Sequence, residues 1–227
     1  MRTRFHQSLD DLKEKLLRMG GLAEQSVDRA VDAYRRRDVS VVQRVFEGER
    51  QINLMEREID ELALDLLAMQ QPMAVDLRFI IAVVKINADL ERVGDQAVNI
   101  VQRVLELTKL PEAELNVDIP RVAEVASTMV RTSLESFIYA RPDVAESVLK
   151  MDNNLDELNA QTYHAMMAVM QKSPELTPQA LNTLLISRNL ERVGDHATNI
   201  AEDVIFWVRG ADVRHQFGPY GTSANVS

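Results

Sequence analysis

One segment occurs twice in the chain, and this internal repeat limits the possible folds more than any other feature. Residues 90–95 read Leu-Glu-Arg-Val-Gly-Asp, and residues 190–195 repeat them unchanged. When the comparison is extended to eleven positions, nine are identical. Weaker likenesses upstream, such as Glu49 with Asp152, follow a spacing of 103 rather than 100 residues, which indicates a three-residue difference in an intervening turn. The chain is therefore predicted to contain two copies of one structural unit.

The repeated unit is predicted to be helical. Turn-rich all-β folds need many glycines and prolines, and the 227 residues include only 8 Gly and 7 Pro. Apolar residues follow the three- and four-residue spacing of a helix, as in Val83, Ile86, Leu90, Val93, Ala97, Ile100 and Val104. Six of the prolines fall between such segments, where proline is tolerated. The predicted helices are 6–37, 40–70, 73–109, 117–140, 142–171 and 178–209.

Three helices per copy predict an all-α fold of two tandem pseudo-symmetric three-helix bundles, because fewer than three helices enclose a core poorly. The first bundle is placed at residues 1–112 and the second at 113–210. Thr177, before Pro178, is predicted to cap the start of the last helix, and Gly210 to cap its end. The polar residues 211–227 are predicted to form a flexible tail.

Composition excludes several classes of function. The chain has no cysteine, which excludes disulfides and thiolate metal sites and suits a reducing interior. Its net charge of −9 is opposite to what a duplex-DNA binder needs, so no nucleic-acid partner is expected. The longest apolar runs have six residues, far below the ~18 of a membrane span. The expected location is the cytoplasm.

The third helix of each copy carries an acidic line. Residues i and i+4 lie close together on one side of a helix, so Glu91 and Asp95 form one line. If the preceding helix turns back near Pro72, Glu49 lies level with Asp95, and Asn53 lies level with Glu91. The first hairpin therefore brings together three carboxylates and one amide.

The second hairpin repeats this arrangement with four acids. If the fifth helix turns back into the sixth near Ser173, Asp152 lies level with Asp195, and Asp156 lies level with Glu191. Crowded carboxylates raise one another's pKa, and a multivalent cation relieves the repulsion. Oxygen ligands favour hard cations such as Fe³⁺, Mn²⁺ or Mg²⁺. The seven acids are thus predicted metal ligands facing the inside of each hairpin: Glu49, Glu91, Asp95, Asp152, Asp156, Glu191 and Asp195.

Other interpretations of these residues stay open in the sequence. The acids could form a solvated face in which Arg92 and Arg192 pair with the aspartates three residues on. The glycines at positions 94 and 194 cost helix stability, so either a neighbouring helix or a ligand should approach there. A carboxylate-bridged metalloenzyme or a metal-storage bundle is the alternative function. Di-iron carboxylate bundles use Glu-x-x-His pairs, which the two acidic helices lack. The chain also lacks a glycine-rich phosphate loop and a nucleophile triad, so no enzyme activity is expected.

The repeated motif at 90–100 and 190–200 resembles the PhoU family of phosphate-specific transport accessory proteins. The segment 71–78, Gln-Pro-Met-Ala-Val-Asp-Leu-Arg, resembles the family's opening of the third helix. The likeness extends over about residues 5–210 and implies two similar three-helix bundles. In the family, Glu/Asp-x-x-x-Asp motifs bind metal clusters. Here they fall on Glu91–Asp95 and Glu191–Asp195, and Asn53 departs from the all-acid pattern.

The resemblance also implies a function in regulation. Family members repress the phosphate-starvation response and restrain phosphate uptake when phosphate is plentiful. They link the ATPase of a phosphate ABC transporter to a membrane sensor histidine kinase. The chain is therefore expected to be a metal-binding adaptor and a homodimer, which its partners recruit to the inner face of the membrane.

Overall fold

The computed structural model describes residues 2–70 and 72–210, so the predicted tail at 211–227 lies outside the described residues. This part of the chain forms six long α-helices and two short 3₁₀ turns, at Val39–Val41 and Pro174–Leu176, with no β-strand. The helices are α1 (Arg2–Arg36), α2 (Val42–Gln70), α3 (Ala74–Thr108), α4 (Ile119–Ile138), α5 (Pro142–Lys172) and α6 (Thr177–Arg209). The predicted all-α class and the six helices are confirmed.

The two copies form two three-helix bundles that share one continuous apolar core. Helices α1, α2 and α3 pack together, as do α4, α5 and α6, while α3 and α1 join the bundles by packing on α6 and α4. The helices α3 and α6 run antiparallel, because Phe79 near the start of α3 contacts Trp207 near the end of α6. Further along, Asn199 donates a hydrogen bond to Asp89. The α3–α6 pair thus lies at the centre of the molecule.

The turn between the first and second helices has the same backbone form in both copies. Arg37 and Ala140 adopt left-handed conformations, with φ of 52° and 50°, although neither is glycine. They are 103 residues apart, the spacing of the repeat in this half of each copy. After each of them, a backbone N–H bonds a carbonyl five residues back, from Asp38 to Ala33 and from Arg141 to Ser136. This is the hydrogen bonding of a Schellman helix end.

Of the two caps predicted for α6, the C-terminal one is confirmed and the N-terminal one is wrong. Gly210 adopts φ 72°, and its N–H bonds the carbonyl of Phe206, so the predicted C-cap is confirmed. The predicted N-cap at Thr177 is wrong. The 3₁₀ turn at Pro174–Leu176 runs directly into the helix, so Thr177 already has helical dihedral angles and Leu176 precedes the first helical residue. A preceding helical turn satisfies orphan N–H groups that a capping side chain would otherwise take.

Candidate functional site: two acidic grooves

The α2–α3 hairpin forms the first acidic groove, which consists of Glu49, Asn53, Glu91 and Asp95. Asn53 donates through Nδ2 to Glu49 at 2.5 Å. Its Oδ1 is buried and accepts no hydrogen bond from any described residue. Partial burial raises the pKa of Glu91, and the negative charge of Asp95 adds to the effect. The side chains predicted from helix register therefore lie within electrostatic range of one another.

The α5–α6 hairpin forms the second acidic groove, which consists of Asp152, Asp156, Glu191 and Asp195. Partial burial raises the pKa of Asp152 to about 6, and the charges of Asp156, Asp195 and Glu191 contribute in that order. Desolvation by surrounding protein atoms also raises the pKa of Asp195, and Asp156 is again the leading charge. Neighbouring carboxylates from two helices thus disfavour the ionised forms of Asp152 and Asp195.

Both grooves lie on the outer side of their hairpins, which corrects the expectation that the acids face inward. The exposed carboxylates are Asp95, Asp156 and Asp195, whereas Glu49, Glu91, Asp152 and Glu191 are half-buried. The solvated-face interpretation paired Arg192 with Asp195, whereas the structure pairs an arginine with Glu191. That partner is Arg188, 3.0 Å away, three residues before Glu191 and not the Arg192 that follows it. The acids are therefore wholly or partly accessible to solvent and ions.

The donor set of the grooves fits a hard cation. All the groups are oxygens, and the first groove contains a buried oxygen, Asn53 Oδ1, that accepts no hydrogen bond from the described residues. Among residues 2–70 and 72–210, no three His, Cys, Asp or Glu side chains already converge as a set able to hold a metal ion. Binding an ion would therefore require rotation of the exposed aspartates and coordination by water.

The two repeated glycines are explained by helix packing. A Cβ on Gly94 would lie 2.9 Å from Ile52 Cδ1 of α2, and one on Gly194 would lie 2.1 Å from Leu155 Cδ2 of α5. Ile52 and Leu155 are both fully buried and are 103 residues apart. The close approach that the glycines predict is therefore made by a neighbouring helix, beside the acids.

Sequence reasoning missed three residues that lengthen the first groove, Glu56, Asp60 and Asn87. Asn87 is fully buried and donates to the Glu56 carbonyl at 2.9 Å and to the Asp60 carboxylate at 3.0 Å. Partial burial raises the pKa of Glu56, with further contributions from Asp60 and Asp95. Steps of four, three and four residues along α2 lead from Glu49 through Asn53 to Glu56 and Asp60, so this helical spacing could have found both acids.

A second missed group joins the two bundles along α3 and α6. Asp89 accepts a hydrogen bond from Asn199 at 3.1 Å and lies 2.9 Å from His196 Nδ1. Lys85 pairs with the buried Asp203 at 2.7 Å. His196 follows the second acidic motif directly, yet it faces the other bundle. Register within one hairpin does not reveal such contacts, because they depend on how the two copies pack together.

Comparison with known proteins places these features in a family. The PhoU domain model matches residues 16–104 and 119–204, once in each bundle. A relative from Pseudomonas aeruginosa, described as a phosphate-specific transport system accessory protein PhoU homolog, is 40% identical over 93% of this chain and 88% of its own length. The phosphate-specific transport system accessory protein PhoU of Escherichia coli is 31% identical, over 94% and 89% of the two chains.

Solved structures agree with the sequence comparison. The crystal structure of PhoU from Pseudomonas aeruginosa superposes with a TM-score of 0.88 at 38% identity, covering 91% of this chain and all of the other. The phosphate transport system regulatory protein PhoU from Streptococcus pneumoniae gives a TM-score of 0.85 at 26% identity, covering 92% and 99%. In the described residues, no helix has the combined length and apolar character needed to cross a membrane. With a family model matched in both copies and relatives that align over nearly its whole length, the chain belongs to the PhoU family.

Proposed function

We propose that this chain is a negative regulator of the phosphate-starvation response and of phosphate uptake. One observation carries the proposal, the end-to-end likeness to accessory proteins of phosphate-specific transport systems. The protein acts in the cytoplasm without catalysing a reaction. It binds the ATPase of a phosphate ABC transporter and a sensor histidine kinase, and it is a homodimer in solution.

We further propose that the two acidic grooves bind hard cations such as Fe³⁺, Mn²⁺ or Mg²⁺. The raised pKa of Asp152 and the unpartnered Oδ1 of Asn53 support this, because a cation neutralises crowded carboxylates and coordinates a free oxygen. The bound ion supplies positive charge that joins the two helices of a hairpin. Asn53 replaces one carboxylate, so the first groove is expected to bind a given cation more weakly than the second.

Exposed apolar residues at the hairpin tips support the proposed docking of partners. At the α2–α3 tip, Met73 is 77% exposed and Val75 is 60% exposed. Leu181 is exposed near the α5–α6 tip. Neighbouring exposed apolar side chains mark protein interaction surfaces more often than isolated ones do. The acidic grooves, which lie near the middle of the hairpins, favour basic partner surfaces.

Deletion of the gene tests the regulatory function. The deletion strain should express phosphate-starvation genes in phosphate-rich medium, and the wild-type protein should restore repression only when the transporter and kinase are present. Normal repression in the deletion strain, without a second copy of the gene, would contradict the proposal.

A matched pair of double variants tests the metal separately. Asp95→Asn with Asp195→Asn should strip most metal from the purified protein, as measured by elemental analysis. Asp10→Asn with Asp11→Asn removes the same charge from exposed positions on α1 and should leave the metal content unchanged. Equal metal content in the two variants would leave the regulatory proposal standing and contradict the metal proposal.

A further inference from the structure

The antiparallel α3–α6 pair gives the molecule two ends that correspond to each other through the internal repeat. A residue of α3 corresponds to the residue of α6 that lies 100 positions later, and a residue of α1 to the residue of α4 that lies 103 positions later. The shared left-handed turns at Arg37 and Ala140 confirm the second spacing. Every position at one end therefore has a counterpart at the other.

Three aromatic rings fill one of these ends. Phe79 of α3, Phe137 of α4 and Trp207 of α6 contact one another, with ring centroids between 5.1 and 5.8 Å apart. Phe137 is fully buried, and Phe79 is almost so. We call this the aromatic end. Rings at these separations pack well and close the junction between the bundles.

The opposite end carries different residues at the same three positions. Gln179 takes the place of Phe79, Tyr34 that of Phe137, and Leu107 that of Trp207. All three line a pocket of about 240 Å³, which we call the polar pocket. Thr183 lines it as well and takes the place of Val83. The pocket thus occupies the volume that aromatic rings fill at the other end.

The polar groups of this pocket leave one specific requirement unmet. Gln179 is only 5% exposed, and its Nε2 donates to the carbonyl of Pro111 at 3.2 Å. Its Oε1 is buried and accepts no hydrogen bond from the described part of the chain. A buried acceptor without a donor costs about 1–3 kcal/mol. A ligand that carries an N–H or O–H donor would remove this cost.

The remaining lining defines the rest of the ligand. Apolar side chains of Val104, Leu107 and Leu115 provide a surface for a flat, apolar body. Arg35 lines the pocket with its side chain 61% exposed. One guanidinium nitrogen bonds Asp32 at 2.9 Å, and the other N–H groups can meet an anionic group at the rim. Glu112 lines the same pocket and disfavours a strongly charged anion. The combination suits a ligand with a planar ring whose edge carries an N–H donor, joined to a separate group of modest negative charge.

We propose that the polar pocket binds the nucleobase of a mononucleotide, with Gln179 Oε1 accepting from a base N–H and Arg35 contacting the phosphate. This inference does not depend on the acidic grooves or on the regulatory function proposed above. A nucleobase is flat, as the aromatic side chains at the other end are, and it carries the donor that Gln179 lacks. A monophosphate should bind more tightly than a triphosphate, because Glu112 repels the added charge.

Calorimetric titration of the full-length protein tests the proposal with AMP, GMP and CMP as probes and ribose 5-phosphate as the control. At least one base-containing probe should bind, and ribose 5-phosphate should not. Gln179→Leu, which removes the acceptor without adding bulk, should weaken binding by about tenfold. Absence of binding by all three nucleotides at millimolar concentration would overturn the proposal, as would equal affinity for ribose 5-phosphate.

A filled-pocket variant gives a second readout. Leu107→Trp with Gln179→Phe copies the residues of the aromatic end, so it should abolish nucleotide binding and raise the ligand-free melting temperature. If that variant does not fold, Gln179→Leu alone decides. Phe79→Leu at the aromatic end is the matched control and should lower the melting temperature without changing affinity. Nucleotide binding that survives in a folded Leu107→Trp, Gln179→Phe variant would place the ligand elsewhere and overturn the proposal.

Discussion

Asp152 makes the second acidic groove electrostatically unfavourable at neutral pH. Its pKa rises from the ordinary 3.8 to about 6 in the folded protein, first through burial and then through four neighbouring acids. Between these two values the folded state binds more protons than the unfolded state. Stability therefore falls as the pH rises from about 4 to 6, and the full cost is present above that window.

Asp152→Asn should consequently stabilise the metal-free protein. In buffer with a chelator at pH 7.5, we expect the free energy of unfolding to rise by about 1 kcal/mol, because solvent screening reduces the full electrostatic cost. At pH 4 the gain should vanish. Urea denaturation at both pH values measures this. The control is Asp143→Asn, which removes an exposed acid whose pKa is lowered by Arg141 and should bring no gain. Equal stability of Asp152→Asn and wild type at pH 7.5 would contradict the prediction.

The glycines give a second prediction at the scale of single residues. Gly194→Ala places a Cβ 2.1 Å from Leu155 Cδ2 in a filled core, so we expect destabilisation by about 1–3 kcal/mol. Gly94→Ala meets Ile52 at 2.9 Å and should cost less. Gly21→Ala, which meets no described atom within 4 Å, should stabilise α1 by up to about 1 kcal/mol. Thermal denaturation should rank the variants in this order, and a neutral Gly194→Ala would refute the packing explanation.

Among the elements, the ends of the helices show where local sequence signals succeed. The glycine at position 210 predicted a left-handed end of α6, and Gly210 adopts that conformation. A glycine directly after the last helical residue is a clear sequence signal for such an end. Arg37 and Ala140 adopt the same conformation without a glycine signal, so the sequence could not reveal them. Arg37 is held there in part by its own side chain, which donates to the carbonyls of Leu107 and Leu110 at 2.6 and 2.8 Å.

Ala140 is exposed and gives a clean test at this scale. A left-handed conformation costs a non-glycine residue about 1 kcal/mol, so Ala140→Gly should stabilise the protein by roughly that amount. Ala160→Gly, at an exposed position inside α5, should destabilise it by a similar amount, since glycine weakens helix interiors. Chemical denaturation of both variants measures the two effects. If Ala140→Gly also destabilises the protein, the left-handed conformation of Ala140 does not carry the expected free-energy cost, and the prediction is wrong.

At the scale of the whole molecule, the sequence predicted contacts within each copy but not between copies. A hairpin fixes which residues lie level, so the sequence predicted Glu49 level with Asp95, one turn from Glu91, and Asp152 level with Asp195. In the structure Glu49 acts on the charge of Glu91, and Asp195 on that of Asp152. It could not place His196 beside Asp89, since that contact requires knowing that α3 packs antiparallel on α6. The boundary between residues 112 and 113 stays a prediction.

Because α3 and α6 contribute to one shared core, the two bundles should unfold together. We expect a single cooperative transition in calorimetry, with equal calorimetric and van't Hoff enthalpies. Lys85→Met leaves the buried Asp203 without this partner, so it should lower the melting temperature of the whole transition and not of one half. Arg121→Met, which breaks an exposed ion pair with Glu124, is the control and should have little effect. Two resolved transitions would show that the bundles are independent.

The antiparallel arrangement also sets the distance between the two hairpin tips. The start of α3 lies beside the end of α6, so the tips at the starts of α3 and α6 point in opposite directions. Along a helix of 35 residues, this separation is about 50 Å. If the proposed partners dock at the two tips, they are held about this far apart, and each raises the local concentration of the other near the chain. With the proposed docking, a duplicated hairpin would make a single polypeptide bivalent, before any second copy of the chain is added.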